Sequence, residues 1–506
     1  MKRARIELAL VFAGLAALSA FSTALVHRWG WTLYYGDAEA HLNIARRIID
    51  SRTPGYDQIG TVWLPLPHIL TLALVWNDGL WHSGLAGAIP SSACFVLAGV
   101  FLFAAMRRAT HSSPAAFAAL GLFALNPNLL YLQATPMTEP VAFAGFMALL
   151  YCTVLFRDTQ SWSAVIGAAL ATLAATLTRY EGWFLIPFVA IYFLLVARGR
   201  RFLPSLVFLA IASLGPLYWL GHNFWLYSNP LEFFNGPYSA KGIYARQLAQ
   251  HMRPYPGDHD WREAWLFFRA AARLCAGWGV VVVAAAGLVS AAAKRVFWPV
   301  LLASLPPIFY VWSIYSGATP ILLPKLWFNS YYNSRYGLAA LPLLAIAGGC
   351  LALAATPRFR ALASGAIVLV GVAPWLARPN PENWICWEES QVNSEARQVW
   401  TRQAALMLAG QYRGGGIFTS FGDLTGIFRE AGIPLRGTLH EGNVVAWMTA
   451  VQRPRLFLHE KWAVGFADGE VARAVERSTL GGGPRFRLMR SIAVPGAPIV
   501  EIYKRE

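Results

Sequence analysis

The stretch Tyr34-Tyr35-Gly36-Asp37-Ala38-Glu39-Ala40-His41 follows directly on the first long apolar run, Ile6 to Val26. A chain that has just crossed a bilayer meets water here. Two acids and a histidine fall within five residues. Read as a helix from Ala38 to Asp50, the next segment puts Leu42, Ala45, Ile48 and Ile49 on one face. Glu39, Asn43, Arg46 and Arg47 fall on the other, the pattern of a helix lying in a membrane interface. Acids at the rims of apolar runs are few in this chain, so this cluster is where chemistry is sought first.

The rest of the chain supplies the membrane. Of 506 residues, 56% are hydrophobic and 13% charged, and the mean hydropathy is +0.43, which excludes an ordinary soluble globular protein. Apolar runs of about 20 residues, each able to cross a hydrocarbon core of about 30 Å, recur along it. Beyond the first run they are expected near 84–105, 114–132, 141–156, 162–178, 183–197, 203–222, 271–292, 297–315, 336–355 and 361–377, about eleven spans in all. Met1-Lys2-Arg3-Ala4-Arg5 and Ser22-Thr23-Ala24 also suit a cleaved signal peptide. The length of the run and its agreement with later spans favour a retained helix.

Basic clusters set the orientation. Arg107-Arg108, Arg157, Arg198-Gly199-Arg200-Arg201, Lys294-Arg295 and Arg358-Phe359-Arg360 all fall on one side when the N-terminus is cytoplasmic, as the positive-inside rule requires. The net charge of +16 is thereby explained by topology, and nucleic acid is not an expected partner. The 21 Trp and 19 Tyr suit helix ends lying in two interfaces. Five cysteines show neither CxxC nor Cys/His spacing, which argues against thiol or zinc chemistry.

Three loops face outward in this scheme: 28–83, 223–270 and 316–335. In the first, Val62-Trp63-Leu64-Pro65-Leu66-Pro67-His68 is apolar, broken by proline and followed by a run too short to span, so a second interfacial or re-entrant element is expected. Asp57, His68, Asp78 and His82 in this loop have no spacing that decides a role. The loop 223–270, with Pro237-Tyr238-Ser239-Ala240-Lys241, is long enough for a lid. Residues 1–376 therefore read as a transmembrane domain. Residues 377–506 read as a small extracytoplasmic α/β domain, with strands at 416–421 and 455–459, a helix at 470–477 and a hairpin of 490–494 with 499–503.

Each candidate site residue has a plainer reading beside the functional one. Asp37 would take a proton from an acceptor group, with Glu39 assisting or holding a cation; equally, Asp37 would cap the interfacial helix, with Glu39 favoured by the helix dipole. Glu139 opens the fourth span ahead of Pro140 and lies on the same side as Asp37. Arg179-Tyr180-Glu181 forms a tight turn, in which a local ion pair is the plainer reading. Arg335, flanked by Tyr332 and Tyr336, is either a snorkelling anchor or a phosphate ligand suited to its guanidinium fork. His440-Glu441-Gly442-Asn443 lacks the second histidine of a zinc motif and reads as a loop.

An acidic DxE after the first helix, two interfacial elements, a second acid opening the fourth span, an Arg-Tyr in a late outer loop and an outer C-terminal domain together resemble the GT-C superfamily of membrane glycosyltransferases. That superfamily includes protein O-mannosyltransferases, the lipid A aminoarabinose transferase and oligosaccharyltransferase catalytic subunits. The resemblance covers residues 1–376 in architecture. It implies transfer of a sugar from a polyprenyl-phosphate donor to a lipid, glycan or protein acceptor on the outer face of the plasma membrane, with inversion. Catalytic roles would fall on Asp37, Glu39 and Glu139. Substrate contacts would fall on His41, Arg179, Glu181, Lys241, Tyr332, Arg335 and Tyr336. A divalent cation is used by some members only. The alternative class is a transporter or flippase, which would place ionisable residues near the midplane and in repeats; here the charges cluster at one rim.

Overall fold

The computed structural model describes residues 2–317 and 319–506. Met1, in the basic N-terminal cluster, and Ala318, in the loop 316–335, lie outside the described residues. Among the described residues, seven helices are long and apolar enough to cross a membrane: Ala4–Arg28, Leu85–Thr110, Glu139–Thr159, Phe202–Tyr227, Phe297–Tyr315, Ser334–Ala354 and Pro357–Ala377. Two bent pairs bring the number to nine, Ser113–Ala124 with Pro127–Gln133 and Trp261–Ala276 with Trp278–Ala293. The expected spans at 162–178 and 183–197 are apolar helices of 15 and 16 residues. At 1.5 Å per residue they reach only about 22–24 Å. The mainly α, polytopic membrane architecture is as expected, with a small sheet near the C-terminus.

The span expected at 271–292 is corrected. The helix turns by 108° between Ala276 and Trp278. Gly277 sits at the corner with φ of 83°, a conformation that glycine adopts without strain. Residues Trp261–Ala276 thus form a separate amphipathic helix, and only Trp278–Ala293 continues as an apolar one. The bend at 124–127 has a different cause: Asn126 accepts from the backbone N–H of Asn128 and Leu129 and restarts a helix with Pro127 in its first turn.

The chain forms two compact units. The first comprises residues 1–29, 61–67 and 88–389. Its helices pack through small residues and buried polar links, as membrane helices do: Ser290 Oγ donates to the Cys350 carbonyl at 2.7 Å, and Asn126 Nδ2 to that of Cys275 at 2.9 Å.

The second unit comprises residues 30–60, 68–87 and 390–506. It holds a five-stranded sheet of β1 (Ile417–Thr419), β2 (Thr438–Leu439), β3 (Trp462–Phe466), β4 (Phe486–Ile492) and β5 (Val500–Arg505), in the order β2-β1-β3-β5-β4. β1 is parallel to both β2 and β3, while β5 runs antiparallel to β3 and β4. The expected hairpin and the helix, here Glu470–Leu480, are present. The strand expected at 455–459 is not: Pro454 opens a short helix to Phe457, and the strand falls at 462–466. Proline suits the first turn of a helix and removes a donor from a sheet ladder. The core of this unit joins Leu42, Val75 and Trp81 with Trp400, Phe428, Trp462 and Ile502.

Candidate active site

In the second unit the DxE lies on a helix, Gly36–Ile49, which starts two residues before the expected boundary. Tyr35 is the N-cap and makes no side-chain capping bond, so Asp37 lies in the first turn rather than at the cap. A carboxylate there still interacts favourably with the helix dipole. Arg397 crowds this turn: it donates to the Tyr34 carbonyl and approaches Asp423 at 3.5 Å. A Cβ on Gly36 would lie 2.7 Å from Arg397 Nη1, so glycine permits the close approach.

The polar face of the helix, expected to meet water, is buried instead. Glu39 accepts from Arg429 Nε at 2.8 Å, from Arg429 Nη2 at 3.0 Å and from Asn43 at 2.9 Å. Burial pushes the Glu39 carboxyl up, but Arg429, Asn43 and Arg397 more than offset it, and the group is held below its ordinary value. Arg46 donates to Asp50 at 2.9 Å, to Asp78 at 2.7 Å and to the Val75 carbonyl at 2.9 Å, with the Trp81 ring at 4.4 Å. A polar face can be buried when its charges are paired in this way. His41 packs against His68, with Nδ1 and Nε2 2.9 Å apart.

The first unit assembles a second cluster. Thr138 precedes helix Glu139–Thr159, and its hydroxyl accepts from Arg179 Nη1 at 2.8 Å. Arg179 also donates to Glu139 Oε1 at 3.1 Å and to Glu181 Oε1 at 2.7 Å, and it reaches the Tyr310 hydroxyl. Tyr310 donates in turn to Glu181 at 3.0 Å. Thus the local Arg179–Glu181 pair exists, within a larger network. Arg335, on the 3-10 helix Ser334–Ala340, donates to Glu139 Oε1 at 3.2 Å and to Glu389 Oε1 at 3.3 Å. It is 5% exposed, so it is not a snorkelling anchor. Glu389 Oε2 accepts from the Ser334 backbone at 2.6 Å and from its hydroxyl. The Tyr336 ring lies 5.0 Å from Arg335 and 5.1 Å from Arg179.

Beside this network is a partly open cavity. Apolar residues including Phe143, Phe146, Leu185 and Pro306 line it, together with Glu139, Arg179, Glu181, Tyr310 and Arg335. Glu139 Oε2 is buried without a hydrogen-bond partner among the described residues. The site therefore offers a free acceptor and two guanidinium groups beside an apolar wall. Such a wall and such a polar end suit an amphiphile with an anionic head.

Of the expected site residues, the structure gathers Glu139, Arg179, Glu181, Arg335 and Tyr336 in the first unit and places Asp37, Glu39 and His41 along one helix of the second. Lys241, on helix Ala240–Ala249, lies over the Phe234 ring at 4.7 Å. Tyr332 is half-exposed and pairs its backbone with Leu322. Sequence reading missed Glu389, Tyr310, Arg397 and Arg429. The adjacent acids Glu388-Glu389 at the start of a helix were a local signal; the others had none. His440 caps a short 3-10 turn to Asn443, a loop role as expected. Among the described residues no three His, Cys, Asp or Glu side chains converge as a cation site, so no step is assigned to a metal.

The profile described as dolichyl-phosphate-mannose-protein mannosyltransferase matches residues 80–219. No curated protein sequence matches the chain. Among solved structures, ArnT from Cupriavidus metallidurans bound to undecaprenyl phosphate matches with a TM-score of 0.56 at 14% identity, covering 95% of this chain and 97% of that one. The same protein in the apo state matches with a TM-score of 0.55 and the same identity and coverage. The apo Archaeoglobus fulgidus oligosaccharyltransferase gives a TM-score of 0.48 at 12% identity, over 93% of this chain and 71% of that one. At such identity the likeness to ArnT is one of fold. The chain has the fold of ArnT, and the mannosyltransferase profile matches within it over residues 80–219.

Proposed function

We propose that the protein is an inverting membrane glycosyltransferase that moves a sugar from a polyprenyl-phosphate donor to a lipid, glycan or protein acceptor on the extracytoplasmic face of the plasma membrane. The observation that carries this reading is the apolar cavity bordered by Arg179, Arg335 and Glu139. A prenyl chain suits the apolar lining and its phosphate suits the guanidinium groups. The fold shared with ArnT, a protein solved with undecaprenyl phosphate, supports the same donor class.

The roles follow from charge. As the sugar–phosphate bond breaks, negative charge grows on the leaving phosphate, and a guanidinium stabilises it. Arg335 is assigned this role, and Arg179, held by Glu181 at 2.7 Å, supports it from the same cavity wall. Glu139 Oε2 would accept a substrate hydroxyl. Asp37 would take the acceptor's proton. Glu39 is engaged by Arg429 and serves to hold the helix that carries Asp37. In this reading the N-terminus is cytoplasmic and residues 377–506 are extracytoplasmic.

The test is purified protein in bilayer discs, given a panel of polyprenyl-phosphate sugars and acceptors, with and without chelator. Transfer from at least one donor, with release of polyprenyl phosphate, is expected. Binding without transfer across the panel, together with movement of a lipid-linked sugar between leaflets, would replace this reading by the flippase one.

A further inference from the structure

The His41–His68 pair has no part in the proposed chemistry so far. Both rings are buried, His68 completely. Their nitrogens meet at 2.9 Å, His41 Nδ1 against His68 Nε2, with ring centroids 5.1 Å apart. The other nitrogen of His68, Nδ1, is buried and has no hydrogen-bond partner among the described residues. Burial, then the neighbouring His41 and Arg47, hold His68 well below the ordinary histidine value. It is therefore neutral and carries one ring proton.

That single proton has two possible positions. On Nδ1 it would be a buried donor with no acceptor, which costs more than an unused lone pair. On Nε2 it points at His41 Nδ1 and forms the observed hydrogen bond, leaving only a bare lone pair on Nδ1. With His41 neutral the second arrangement wins, because it leaves no buried N–H without an acceptor. It also determines His41: a nitrogen that accepts has no proton, so the His41 proton lies on Nε2.

His41 is one turn after Asp37 on the helix Gly36–Ile49, at spacing i, i+4, and so shares a face with it. We propose that His68 is a positioning residue that donates from Nε2 to His41 Nδ1 and thereby holds His41 as a fixed Nε2–H donor on the helix face that carries Asp37. A donor one turn from a carboxylate on the same face favours its ionised form, whereas the opposite tautomer offers a lone pair instead. The inference deepens the proposed function, since it rests on Asp37 acting as the proton acceptor.

The experiment uses full-length protein in bilayer discs with ring-15N histidine, and His41 is assigned by the signals lost in His41→Gln. At pH 7 His41 is expected with a protonated Nε2 and a bare Nδ1; a proton on His41 Nδ1 overturns the proposal. In His68→Phe the two tautomers of His41 should mix, and kcat should fall roughly 10-fold with the donor KM unchanged. His68→Gln, whose amide restores an N–H toward His41, should recover most of the loss. An unchanged His41 tautomer or an unchanged kcat in His68→Phe also overturns it. If that variant does not fold, the wild-type spectrum decides alone. Absence of transfer by the wild type would count against the glycosyl-transfer reading and leave the tautomer result standing.

Discussion

Glu39 and Arg429, 390 residues apart, are joined by two hydrogen bonds of 2.8 and 3.0 Å inside one unit. The pair ties the helix of the DxE motif to the segment after residue 390. Removing one partner leaves a buried charge alone, which costs about 3–5 kcal/mol. Glu39→Gln and Arg429→Ala should each lower the thermal midpoint of the solubilised protein, and the double variant should lose less than the sum. Additive losses would show that the pair is not coupled.

The same pair predicts acid sensitivity. Glu39 is held below its ordinary value of 4.5, so its stabilisation is fully present above that value and is lost as pH falls through the lower folded one. The gap in thermal midpoint between wild type and Glu39→Gln should be constant near neutrality and shrink below pH 4.5. A gap that widens on acidification would contradict this.

Asp37→Asn keeps the size of the side chain but removes the proton acceptor. Transfer should fall about 10²–10⁴-fold, with donor binding and thermal midpoint retained. Turnover near that of wild type would remove Asp37 from the mechanism.

Arg335 lies between Glu139 and Glu389, so Arg335→Ala removes the cation the two buried carboxylates share and leaves Glu139 with Arg179 and Glu389 with Ser334. It should be the worst variant in both stability and turnover. Arg335→Lys keeps the charge but loses the fork and should be intermediate in donor affinity. Normal donor affinity and turnover in both variants, measured at matched folded protein, would refute the phosphate role.

Gly36→Ala places a methyl group 2.7 Å from Arg397 Nη1. The side chain can swing away, so stability should change by less than about 1 kcal/mol, at the cost of its bond to the Tyr34 carbonyl. Activity should drop more than stability does, and Arg397→Ala should mask the effect. Equal loss from Gly36→Ala in both backgrounds would show that the arginine is irrelevant.

The length and recurrence of the apolar runs determined the membrane architecture, because each run reports a local need to leave water. The runs expected near 84–105, 141–156 and 297–315 became the helices Leu85–Thr110, Glu139–Thr159 and Phe297–Tyr315 for that reason. The same reasoning fell short where a local signal had two readings. Gly277 inside an apolar run marked a corner only once the chain turned there, and the strand read at 455–459 yielded to the proline at 454. The acids were legible as a cluster, but not their partners. Which arginine meets Glu39, that Glu389 shares Arg335 with Glu139, and which nitrogen of His68 lacks a partner all depend on segments tens to hundreds of residues apart. Only the tertiary structure decides these pairings. A buried charge costs several kcal/mol unless paired, yet any arginine brought close enough satisfies it, and proximity is a property of the folded chain.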